Sequence, residues 1–113
     1  MTEADIFPLL NPVLPYKVFP YVVPRSPKNP PPGAPWCVFS FYSLDQDVLN
    51  GQAGQLNNLQ IDVYAGTIDE ARAIRNKTRS AIAGLNPTEL SETQGYEPDT
   101  SLYRATLECQ IWQ

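Results

Sequence analysis

Residues 58–82, NLQIDVYAGTIDEARAIRNKTRSAI, change their hydrophobic period partway along, and that change decides the fold. Leu59, Ile61 and Val63 alternate with Gln60, Asp62 and Tyr64, the period of two expected of a half-buried strand over Leu59–Tyr64. From Thr67 the period becomes 3.6: Ile68, Ala71, Ile74, Thr78, Ala81, Ile82 and Leu85 fall on one stripe, so a helix is predicted over Thr67–Leu85. Thr67-Ile-Asp-Glu70 reads as a capping box, in which the Thr67 hydroxyl accepts from the Glu70 N–H and the Glu70 carboxylate reaches back. Asp69 and Glu70 suit the positive end of the helix dipole; Gly84 is the expected stop and Pro87 prevents resumption.

Upstream, Trp36–Tyr42 reads as a central strand, with Cys37, Phe39 and Phe41 on one side and Trp36, Val38, Ser40 and Tyr42 on the other. Ser43–Asn58 is polar and contains Asn50-Gly51, a turn signal, which predicts a hairpin with a long tip. Lys17–Val23 has strand composition, and Pro20 demotes it to an edge or irregular strand. Pro is in excess, at 12 residues, and seven of them lie between Pro20 and Pro35. Residues 24–35 are therefore expected to be an extended arm, better suited to an interaction than to a plain connection. Thr2–Leu10 is a candidate short helix, with Thr2 as N-cap and Ile6, Leu9 and Leu10 as its apolar face.

Downstream, Glu89–Thr93 suits a short strand, Gly95–Thr100 a turn, and Ser101–Trp112 the last strand. Its inner side would be Tyr103, Ala105, Leu107, Cys109 and Ile111; its outer side would be Arg104, Thr106, Glu108, Gln110 and Trp112. The order α-β-β-β-α-β-β implies an α+β fold: a mostly antiparallel sheet of about four strands, with one main helix and a short N-terminal helix packed on it. The length, 113 residues, fits a single domain over 1–113.

The net charge of −4 argues against a general nucleic-acid binder. Histidine is absent, which removes the commonest general base and zinc ligand. Met1–Val13 carries Glu3 and Asp5 and no basic residue, unlike a secretory leader, and no apolar run approaches a membrane span of roughly 18 residues. The host cytosol is the expected compartment of synthesis. Cys37 and Cys109 have neither metal-site nor C-x-x-C spacing and are expected to be small core residues. Asp62 and Glu108 could meet across strands as an acid/base pair, but both lie on outward faces, and no nucleophile or phosphate-binding motif accompanies them. No enzymatic activity and no cofactor are expected.

Arg72, Arg75 and Arg79 fall within roughly 60° of one another on the main helix. A solvated face, a docking stripe for carboxylates of a neighbouring subunit, and a contact for DNA phosphates are all open uses. Trp36, Tyr42, Tyr64 and Trp112 share the outward parity and would form one apolar patch on the back of the sheet, to be covered by the N-terminal segment or by another chain.

In order, PWCVFSF (35–41), Asn50-Gly51, NLQIDVYA (58–65), TIDEARAIRNKTRSAI (67–82) and LYRATLECQIW (102–112) make a pattern that resembles the tail-completion, or tail-terminator, proteins of long-tailed bacteriophages. The resemblance spans about Ile6–Trp112; the 25–35 segment is longer and richer in Pro than the family pattern. It implies a homo-oligomeric ring, a hexamer, at the head-proximal end of the virion tail. Such a ring caps the tail tube, stops its polymerisation and offers a surface to the head connector, while DNA passes through its lumen without specific binding. On that reading Arg72, Arg75 and Arg79, with Pro27, Pro30, Pro31, Pro32 and Pro35, are the expected subunit contacts. Asp45, Gln46, Asp47, Asn50, Gln52 and Gln55 of the hairpin are the expected contacts with the tail tube protein. A head-completion adaptor on the portal is the alternative, and a DNA-binding adaptor a third.

Overall fold

A computed structural model describes residues 1–23, 33–47 and 53–112. Two helices and five strands follow one another as α1 (Glu3–Leu10), β1 (Val18–Pro20), β2 (Trp36–Asp47), β3 (Ala53–Ala65), α2 (Ile68–Ala81), β4 (Thr88–Glu97) and β5 (Leu102–Trp112). They build one sheet in the order β1-β2-β3-β5-β4. β2, β3, β5 and β4 are antiparallel neighbours; β1 joins the edge parallel to β2 over Val18–Pro20. The expected α+β architecture is present, with a mixed five-stranded sheet in place of about four strands.

Parity sorts the side chains as alternation requires. Phe39 stands opposite Ile61, and Ile61 opposite Leu107; one step along, Phe41, Leu59 and Cys109 are aligned. This front face is covered by both helices. Ile6 and Leu10 of α1, Ile74 of α2 and Ile82 just beyond it close over Phe39, Ile61 and Leu107, all buried. The stripe on α2 is the predicted one, with Ala71, Ile74 and Thr78 buried. Thr67 caps the helix, accepting from the Glu70 N–H at 3.2 Å, a contact worth about 1 kcal/mol. The helix ends earlier than expected: Ala83–Leu85 tighten into a 3-10 turn, and Asn86, not Gly84, takes the left-handed conformation at φ 55°.

Two polar stretches read as loop or turn are strand. β2 and β3 pair residue for residue out to Asp47↔Ala53, well into the 43–58 segment. The backbone ladder there needs no apolar side chain, and among the described side chains the one buried polar residue, Asn57, is satisfied. Its amide donates to the Ile111 carbonyl at 3.2 Å, and the Ser43 hydroxyl donates to its carbonyl oxygen. β5 reaches only to Trp112↔Leu56, so beyond that row the hairpin is two strands wide. β4 runs to Glu97, past the expected turn at Gly95, which leaves Pro98–Ser101 as the connection to β5. A bulge between Thr88 and Ser91 holds Glu89 at φ 53°.

Phe39 is the largest wholly buried side chain. Phe39→Ala is expected to cost about 3–5 kcal/mol, read as a shifted denaturation midpoint. Cys37 and Cys109 are free and buried, and burial pushes their thiols up to about 12 and about 11. In the unfolded chain a thiol titrates near 9. The native fold therefore keeps both protonated. Stability from this source is complete below pH 9 and is lost as pH rises toward 12. A thiol reagent at pH 8 is expected to label neither cysteine until denaturant is added; fast labelling of the native chain would contradict this burial.

Candidate assembly surfaces

The three arginines of α2 have different surroundings. Arg75 follows Ile74 on the sheet side of the helix and is only 5% exposed. Its Nη1 donates to the Thr93 carbonyl at 2.9 Å and to Gln94 Oε1 at 3.1 Å, and its Nη2 lies 3.4 Å from Glu92 Oε2. Arg79 Nη1 meets the other oxygen of the same carboxylate at 3.0 Å. Two guanidiniums of α2 thus grip three consecutive residues of β4. The grip matters because β4 has little else: every residue from Thr88 to Tyr96 is exposed, and among the described strands only β5 lies beside it. Arg75 is a latch within the chain, Arg79 a half-exposed companion, and Arg72 an exposed cation with no ion pair among the described residues.

Among the described residues the back face of the sheet carries no helix. The outward-facing aromatics share it as parity predicted, but they do not form one patch. Trp36 is buried against Tyr64, rings 5.8 Å apart, and burial pushes the Tyr64 hydroxyl up. Beside them Asp62, only 9% exposed, accepts from Thr106 Oγ1 at 2.6 Å and from Gln60 Nε2 at 2.9 Å. Arg104 follows in the Trp36–Tyr64 row and pairs with Glu97 at 2.9 Å. Polar rows intervene, Ser40–Gln60–Glu108 and then Tyr42–Asn58–Gln110. At the hairpin end Leu44, Leu56 and Trp112 stand in one row. There Tyr42, Leu44 and Trp112 are 62%, 46% and 55% exposed.

Two hollows lie in this face. One, of about 560 Å³, is walled by Trp36, Tyr64, Asp62 and Glu97 with Val22 and Val23. The other, of about 300 Å³, is walled by Tyr42, Asn58, Gln110, Glu89 and Glu108. Ser40 and Gln60 line both, so the two form one furrow along the strands. Asp62 and Glu108 do not act as a pair: Asp62 is held by Thr106 and Gln60, and Glu108 stands opposite Gln60. Among the described residues no group of three acidic or sulfur side chains could hold a metal ion.

Of the residues expected to touch a tail tube, Asp45, Gln46 and Asp47 lie in the last pairs of β2, opposite Gln55, Gly54 and Ala53. Gln55 accepts from the Met1 ammonium at 3.3 Å, which ties the chain start to the hairpin. Asn50 and Gln52 lie outside the described residues, as do Pro27, Pro30, Pro31 and Pro32; Pro35 is half-buried just before β2. Sequence reading missed the latch. Its signal was the place of Arg75 one turn from Ala71 and beside Ile74, inside the buried stripe.

The described residues thus form a sheet covered on one face, with a furrow and exposed apolar side chains on the other. The chain belongs to the family described as Tail completion protein gp17, which matches residues 13–113, and is thus a structural protein of bacteriophage tails. A solved chain from the virion of a native gene transfer agent particle has the same fold: TM-score 0.63 and 13% identity over 92% of this chain and 84% of that one. Among curated proteins none matches this chain.

Arg75→Leu is expected to cost about 1.5–3 kcal/mol, the worth of hydrogen bonds to a charged group, and to speed hydrogen exchange selectively at β4 amides. Arg79→Ala, exposed, is expected to cost about 0–1 kcal/mol and to leave β4 protected. Equal effects at both sites would contradict the latch.

Proposed function

We propose that this chain assembles into a ring, of six subunits on the family pattern, that caps the head-proximal end of the tail tube, ends its polymerisation and seats the head connector. The observation that carries the tube-capping part is the exposed apolar end of the back face, where Tyr42, Leu44 and Trp112 stand exposed beside the paired ends of β2 and β3. Aromatic side chains of this kind are the usual anchors of protein contacts. The hairpin residues Asp45–Leu56 surround them and make the tube contact. Ring formation needs two different surfaces that fit each other, so that the contact repeats head to tail and closes. The helix-covered front and bare back of the sheet supply such a pair. Arg72 and Arg79 contribute to the subunit contact directly and Arg75 by holding β4; the Pro27–Pro35 arm reaches the neighbour. The acidic balance, −4 overall, suits a lumen that DNA must slide through.

The test is electron microscopy of tails from phage carrying Trp112→Ala with Leu44→Ser, beside rings of the same purified variant. Rings are expected to persist while tubes lose their caps and overrun in length. Tails of normal length from this variant would remove the hairpin end from the tube contact. Binding of the unaltered chain to portal rings and not to tubes would favour the head-completion adaptor.

A further inference from the structure

We propose that the furrow on the bare face of the sheet seats helix α2 of a second copy of this chain, front to back, with Arg72 of the helix opposite Glu108 of the furrow. The inference rests on the ring reading and names the surfaces that join.

Dimensions agree first. The furrow runs from the Trp36–Tyr64 row to the Tyr42–Asn58 row, about 20 Å at 3.4 Å per strand residue. α2 has 14 residues, about 21 Å at 1.5 Å each. The crest of α2 opposite its buried stripe is Ala73, Asn76 and Ser80, all exposed. These are small enough to let the helix backbone approach the sheet, and Asn76 can hydrogen-bond the amide of Gln60 at the middle of the furrow.

Charge then selects the occupant. The furrow is acidic along its length: Asp62 and Glu97 line one end, Glu97 paired with Arg104, Glu108 stands farther on and Glu89 lies at the other end. Beyond its first turn, which carries Asp69 and Glu70, the exposed side of α2 bears Arg72, Lys77 and Arg79, the opposite sign. Two furrows placed back to back would oppose carboxylate to carboxylate, which disfavours a symmetric dimer. α2 packs on the opposite face of its own sheet, so a chain cannot place its own α2 in its own furrow. The contact is then between unlike surfaces, the kind that propagates and closes into a ring.

Two measurements on the full chain test this. The first combines Asn76→Cys and Gln60→Cys in one chain under mild oxidation; the native thiols are buried and protonated, so they stay out of the chemistry. A ladder of disulfide-linked oligomers is expected, with no ladder from either single variant. The second is charge exchange, which leaves Gln60 intact. Arg72→Glu and Glu108→Arg are each expected to raise the concentration needed for assembly about tenfold, and the two together to restore it. Rings from the unaltered chain, with no ladder and no rescue, would overturn this contact and leave the ring reading standing. An unaltered chain that forms no ring, alone or on tail tubes, with no ladder, would overturn both.

Discussion

Strand β3 is paired along both edges, to β2 on one side and to β5 on the other. Every other placement in the molecule is made relative to it. Its inward side chains, Leu59, Ile61 and Val63, are wholly buried, and a slip of one residue would turn all three out and Gln60 and Asp62 in. Because the same ladder aligns Phe39 and Leu107 with Ile61, register and core are one constraint. The helices then have one apolar surface to cover, and both take it.

Among the described residues no helix covers the second face of the sheet, and its chemistry differs from that of the core. Asp62, Thr106 and Gln60 satisfy one another there, and Trp36 finds Tyr64. That face is neither a core nor an ordinary solvated surface, since anchors stand exposed at its hairpin end. The front and back of the sheet differ, which a contact repeating head to tail would require.

β4 shows how polar chemistry can hold a strand that the hydrophobic effect does not. Its residues are exposed almost throughout, so burial contributes little. Pairing to β5 and the grip of Arg75 and Arg79 on Thr93, Gln94 and Glu92 keep it in place. A guanidinium suits this task because its forked donors reach a carbonyl and a carboxylate together.

The sequence by itself determined which face each strand residue takes, where α2 begins and which stripe it buries. Alternation and helical period are local properties that a chain displays whatever it packs against. Leu59–Tyr64, the Thr67 cap and the inward parity of Cys37 and Cys109 were legible for that reason. Only the tertiary structure decided what stands opposite each residue. Arg75 was read with Arg72 and Arg79 as one stripe; it turned inward because β4, some twenty residues on, brings Glu92 and Thr93 beneath it. The polar halves of the hairpin became strand because Ser43 and the Ile111 carbonyl satisfy Asn57 from a distance. The four back-face aromatics share one parity yet part into a stacked pair and an exposed end, because strand register sets the Val38–Asp62–Thr106 and Ser40–Gln60–Glu108 rows between them. Period reveals the face a side chain points to; the partner across the sheet comes from remote sequence and is chosen only when the sheet closes.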